Sequence, residues 1–177
     1  MQLNPYGRDL VRFVIDLTNT PPTCAGELAE RCRAGGMLLE DPVTDTDLTE
    51  VLAFLTRWAK VVDAATDARR AALLNELLAE FAEHPRLTDH GGGIWHIHYR
   101  DDHRTPAGVL CAVAAVGTAL HLTSLGMHRL GRCALADCRR AYADFSRAGR
   151  QRYCSPACAN RDAVRRHRAK RATMSRS

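Results

Sequence analysis

Four cysteines fall as two close pairs, Cys133-x4-Cys138 and Cys154-x3-Cys158, with fifteen residues between the pairs. No other feature restricts so tightly what this chain can fold into. A tetrahedral zinc site needs four soft ligands with sulfurs about 2.3 Å from the metal, and two pairs on separate turns deliver them. Between the pairs, Arg140–Phe145 alternates in strand fashion and Ser146–Arg150 carries Gly149 for a turn, so a hairpin can bring the pairs together in a ribbon or treble-clef type of knuckle. Ser155-Pro156 then opens a helix as cap and first residue, and Cys158 falls in that first turn, where the helix dipole favours a thiolate. The expectation is one structural Zn²⁺ held by Cys133, Cys138, Cys154 and Cys158. His167 is nine residues past Cys158, about 13 Å along a helix, too far to share the metal.

The first residues show no basic stretch followed by an apolar run, which predicts a cytoplasmic protein whose thiols stay reduced. Cys24, Cys32 and Cys111 lie singly and read as buried free thiols.

Charge divides the chain at the same place as the cysteines. Residues 1–128 carry 11 Lys+Arg against 17 Asp+Glu, a net −6, and residues 129–177 carry 14 against 3, a net +11. An acidic body with a basic end is the electrostatic footprint of a nucleic-acid binder. On the last helix Arg161, Arg165 and Arg168 share a face at i, i+4 and i+7, while Arg166, Lys170 and Arg171 widen it. Only Asp162 is at hand to balance them, so Arg161, Arg165, Arg166, Arg168 and Lys170 are the expected DNA contacts. Some arginines have another task available, since four thiolates and Zn²⁺ carry a formal charge of −2 that they can offset.

The body reads as helices. Leu10, Val11, Phe13, Val14 and Leu17 are spaced for one up to Pro21-Pro22, and a short one is predicted over Gly26–Arg33. Asp47 with Glu50 forms a capping box before Leu48, Val51, Leu52, Leu55, Trp58 and Val62, and another amphipathic stretch covers Asp67–Glu83. Leu87-Thr88-Asp89 and Ile94–Tyr99, separated by Gly91-Gly92-Gly93, predict a hairpin. Thr105 caps a helix with Pro106 in its first turn, and no Asp, Glu, Lys or Arg occurs from Pro106 to His128. Gly108, Gly117, Thr118, His121, Thr123, Ser124 and Gly126 dilute that run, which favours a buried central helix over a membrane span. The predicted core contains Leu52, Leu55, Trp58, Leu77, Phe81, Val113 and Val116. The fold class is therefore mainly α: a helical body over 1–128 with a small β-hairpin, then a zinc module over 129–177 ending in a basic helix.

An enzyme is not expected. His96 and His98 share a strand face near His84, His90 and His103, but no carboxylate at helix spacing completes a site, and no nucleophile elbow, phosphate loop or dinucleotide fingerprint is present.

Arg129-Leu130-Gly131-Arg132-Cys133-x4-Cys138, Asp144-Phe145-Ser146, Arg152-Tyr153-Cys154-Ser155, Cys158-Ala159-Asn160-Arg161 and His167-Arg168 resemble the CGNR zinc finger. In that family the finger follows a helical domain called ABATE, and the proteins are regarded as stress-induced transcription regulators of bacteria. Phe13–Thr20 is similar to the family's early motif ending in Asn-Thr, and Ile94-Trp95 before a long helix running into Arg129 is similar to its layout. Ala159 stands where the family has Gly, and the last cysteine pair is one residue closer than in the commonest family form. The resemblance implies a DNA-binding transcription regulator; because phosphate contacts look alike from sequence, an RNA-binding or ribosome-associated module is the alternative. It also implies a body that senses a small-molecule effector or forms a homodimer, for which Asp16, Asn19 and Thr20 are the candidate ligand contacts.

Overall fold

The computed structural model describes residues 8–37, 39–89, 95–99 and 104–174, without the side chains of 96, 170 and 172–174. In chain order the helices are α1 (Arg8–Asn19), α2 (Ala25–Ala34), α3 (Asp45–Asp63) and α4 (Asp67–Phe81). The hairpin β1 (Arg86–Thr88) and β2 (His96–His98) follows, then α5 (Pro106–Leu125), a 3-10 turn (Met127–Arg129), β3 (Leu130–Arg132), β4 (Ala141–Ala143) and α6 (Pro156–Met174). The body is mainly helical, as its apolar spacing predicts.

Helix α5 is the axle. Among the described residues it is the one helix long and apolar enough to cross a membrane, yet α1, α3 and α4 all pack on it, and Val109, Leu110, Cys111, Ala114, Ala115 and Leu122 are buried there. Gly117 permits the closest approach, because a Cβ at that position would sit 2.7 Å from Cβ of Leu10 on α1. Inside this packing the Trp58 indole donates to Thr118 Oγ1 at 2.9 Å and Thr118 donates to the Ala114 carbonyl at 2.7 Å, whereas Nδ1 of the buried His121 has no hydrogen-bond partner among the described residues. Of the predicted core, Leu55, Trp58, Leu77 and Val116 are buried, while Leu52, Phe81 and Val113 are partly buried against it.

Two local readings are corrected. The capping box of α3 uses Thr44 and Asp47, not Asp47 and Glu50: the Asp47 N–H donates to Thr44 Oγ1 at 3.2 Å, and the Thr44 N–H donates to Asp47 Oδ2 at 2.8 Å. Asp47 is needed at this third position because its other oxygen accepts from the Ala107 N–H at 3.0 Å in the first turn of α5, so one carboxylate caps two helices. Cys24 is exposed rather than buried, and its sulfur caps α2 by accepting from the Glu27 N–H at 3.5 Å. Cys32 and Cys111 are buried free thiols, as expected.

The first hairpin forms with Leu87 opposite Ile97 and Thr88 opposite His96; its Gly91–Gly93 turn, with His90 and His103, lies outside the described residues. The second hairpin differs from expectation. β4 pairs with β3, a strand the sequence does not announce, through Leu130↔Ala143, Gly131↔Tyr142 and Arg132↔Ala141. The pair's loop therefore holds Cys133 and Cys138, and the segment with Gly149 returns outside the sheet instead of closing it. Leu130, Ala141 and Ala143 join the body's own core, and Arg132 clamps Asp63 at the end of α3 with bonds of 2.8 and 3.0 Å. The change of charge at His128 thus falls inside a packed joint.

Candidate metal centre and nucleic-acid interface

The first cysteine pair sits where β3 ends. Cys133 bonds its N–H to the Arg140 carbonyl at 2.9 Å, the Cys138 N–H donates to the Leu135 carbonyl at 2.9 Å, and Leu135 is buried between the pairs. Arg139 takes φ 54°, a left-handed residue that turns the chain out of the knuckle into β4. The second pair is brought alongside by the Ala134 N–H bond to the Arg152 carbonyl at 2.8 Å. Helix α6 then starts with Ser155, whose Oγ accepts from the Cys158 N–H at 3.3 Å.

All four sulfurs lie within 4.8 Å of one another. Cys138 and Cys154 are 3.6 Å apart, Cys154 and Cys158 3.6 Å, and Cys138 and Cys158 3.7 Å. Sulfurs on a tetrahedron with bonds of about 2.3 Å stand roughly 3.8 Å apart, so these separations are those of a four-thiolate zinc site. Here the donor set and the spacing agree on one Zn²⁺. The protons are unevenly held without metal: the Ser155 hydroxyl, helped by neighbouring thiols, draws Cys158 down to about 7, whereas burial first and bonds from the other thiols second push Cys154 up to about 12. Zinc held by these four thiolates would displace those protons, which couples metal binding to pH and to folding of the module.

Behind the site stands Asp144, buried at 1% exposure. Its oxygens accept from the N–H groups of Ser146 and Gln151 at 2.8 and 2.9 Å, and the Arg129 guanidinium is 3.6 Å away. Burial pushes its pKa upward, but those bonds and Arg129 outweigh it and hold the carboxyl below the usual range. Arg129 also donates to the carbonyls of Leu125 and Ser146. Gly149 has φ +64°, and a Cβ there would meet that guanidinium at 2.6 Å, so the return loop requires glycine twice over. Sequence reasoning missed this lock because its partners are polar and distant in the chain.

The five expected DNA contacts do not form one free face. Arg165 is held by Asp137 of the first knuckle at 2.6 and 2.8 Å, and Arg166 bonds Asp162 at 2.8 Å, with Tyr153 donating to the same carboxylate at 2.6 Å. Asp137 is thus a second balancing acid, invisible in sequence because it lies 28 residues before Arg165. Arg161 and Arg168 are exposed and make no ion pair among the described residues. Lys170 lies on α6, its side chain outside the described residues.

The residues expected to meet an effector have protein partners. Asn19 donates to the Ala141 carbonyl at 2.9 Å and accepts from the Ala141 N–H at 2.8 Å. Asp16 accepts from Arg31 at 2.6 Å, Arg31 reaches the Thr20 carbonyl at 2.5 Å, and the Thr20 N–H continues the helix to the Asp16 carbonyl at 3.0 Å. The four cysteines are the one cluster of potential metal ligands among the described residues; His90, His103 and the side chain of His96 lie outside them.

Comparison with known families matches residues 129–171 to the CGNR zinc finger. The matched stretch covers β3 to α6 and leaves the helical body outside it. No curated protein matches the chain. Ala159, at the family's glycine position, is helical and bonds its N–H to the Ser155 carbonyl at 3.2 Å, where alanine costs nothing.

Proposed function

We propose that this protein is a cytoplasmic, non-enzymatic regulator that binds duplex DNA through α6, with the zinc site as the brace for that helix. The observation that carries the reading is α6 itself. Its nineteen residues span about 28 Å, every described side chain from Arg161 to Ala169 except the half-buried Asp162 is exposed, and it has no apolar face to pack. Isolated helices of this length are marginal in water, so one rich in arginine, held beyond its first turn by the polar pairs Arg165–Asp137 and Tyr153–Asp162 and not by apolar packing, is suited to order against a polyanion. A zinc held by four thiolates has no open coordination position, which accords with a structural metal and not with hydrolysis.

RNA is the second reading, because phosphates look alike to arginine. Salt-matched titration of the zinc-loaded protein against duplex DNA, duplex RNA and single strands separates the two. Duplex DNA should bind tightest, with log K falling against log salt at a slope of roughly −4 for four to five neutralised phosphates. Effector sensing or homodimerisation by the body belongs to the same reading, and the joint between Asn19 and Ala141 is where a change in the body reaches the module.

A further inference from the structure

Between α1 and the zinc module lies an open cleft of about 880 Å³. Its walls take Arg12, Ile15 and Asp16 from α1, Arg140 and Phe145 from the two sides of β4, and Arg161 from α6. The carboxylate of Asp16 is engaged by Arg31 at 2.6 Å. Arg140 and Arg161 make no ion pair among the described residues, and Arg12 is engaged only with the face of Phe145, 5.1 Å from its centroid. Arg12 of α1, Arg140 just before β4 and Arg161 of α6 therefore line one concave surface without a carboxylate of their own, beside Cys138, Cys154 and Cys158, whose zinc-bound thiolates would bring a formal charge of −2 to the same wall and leave the three guanidinium groups in excess by one. The first turn of α6 lines it too, through Ser155 and Ala157, so the positive end of that helix adds to the field.

On the reading that α6 binds nucleic acid, we propose that this cleft is a second phosphate-binding track, in which Arg12, Arg140 and Arg161 grip the phosphodiester backbone beside the groove that α6 enters. The body thereby becomes part of the interface. Arg165 and Arg166 are tied to Asp137 and Asp162, so the uncommitted positive charge near the base of α6 faces the cleft and not the outer side of the helix. An Arg fork matches phosphate geometry and, through the backbone alone, carries no sequence information. The contribution should be equal for every duplex sequence.

The test uses the full-length zinc-loaded protein with Arg140→Gln, Arg12→Gln/Arg140→Gln, and Arg69→Gln on exposed α4 as a charge-matched control. Each phosphate that no longer meets an arginine should flatten the salt slope by about 0.9, hence by about 1.8 for the double variant, with zinc content unchanged and the control like wild type. Arg140→Gln stands alone because Arg12 packs on Phe145. The cleft assignment is overturned if both variants keep the wild-type slope, if the control falls as much, or if the variants lose zinc, which would make these arginines neutralisers of the thiolate cluster. A wild-type protein that binds no nucleic acid overturns the underlying reading as well, and that result is distinct from intact binding by the variants.

Discussion

Asn19 and Ala141, 122 residues apart, exchange two hydrogen bonds: the side-chain amide at the end of α1 gives and takes as a strand neighbour of β4 would. Through this pair the helical body satisfies an edge of the zinc hairpin. Asn19→Ala leaves both backbone groups of Ala141 without partners and should cost about 2 kcal/mol of stability, read from urea unfolding. Asn19→Asp keeps the acceptor but sets an oxygen against the Ala141 carbonyl, so it should recover only part. Amide exchange at Ala141 should speed up in both variants, and unchanged exchange would remove Asn19 from the joint.

Arg70 holds the other side of the same joint. Its buried guanidinium bonds the carbonyls of Val61, Val62 and Ala64 at 3.1, 3.3 and 3.1 Å, which end α3, and that of Met127 just before β3. A cation at a helix C-terminus with four of its five N–H donors bonded to carbonyls is favourable despite burial. Arg70→Met should cost on the order of 3 kcal/mol, and Arg70→Lys should rescue little, since an ammonium cannot reach four carbonyls as a fork does. A Lys variant as stable as wild type would show that charge, and not geometry, is what matters.

Acid should weaken the fold in two stages. Burial of His121 lowers its pKa below 6.5, aided by Arg129 and Arg8 and opposed by its bond to the Arg129 carbonyl and by Asp144. The unfolded chain then takes up that proton first, so the contribution of neutral His121 is complete above about pH 6.5 and is lost as pH falls through the folded value. Asp144 and Asp47, both held below their ordinary 3.8, add a second loss below about pH 4. His121→Gln should flatten the urea midpoint between about pH 7 and 5 and leave the lower step. A slope that persists in this variant would assign the first stage to another group.

Zinc removal should act locally. Leu130, Ala141 and Ala143 belong to the body's core, whereas Leu135, Tyr153 and the cysteines form a small cluster of their own. Cys154→Ser should therefore release the knuckle between Cys133 and Cys138 and the segment from Tyr153 through α6, while β3 and β4 stay paired. Heteronuclear spectra of the variant should lose dispersion in the knuckle and in α6 and keep it in the body, β3 and β4; collapse of the whole spectrum would contradict this division.

What sequence shows here and what it hides follow one rule. The cysteine spacing, the Thr105-Pro106 helix start and the apolar periods of α3 and α4 are local signals, and each is realised in place. β3 is too short to carry a period and exists because β4 pairs with it. Asn19–Ala141, Arg132–Asp63, Arg165–Asp137 and Arg70 with Met127 join residues far apart in the chain through polar atoms, which leave no periodic trace. The same blindness made Arg161, Arg165, Arg166, Arg168 and Lys170 alike expected DNA contacts, although two of them are paired with acids.

In the proposed function, zinc holds α6 in the position that binds nucleic acid. The most direct measurement is the affinity of one protein sample for a labelled duplex in three states: zinc-loaded, stripped by chelator, and reloaded with one equivalent of Zn²⁺. Binding should fall at least tenfold on stripping, a change of about 1.4 kcal/mol, and return in full on reloading. Equal affinity of the stripped and loaded protein at matched salt would contradict the account.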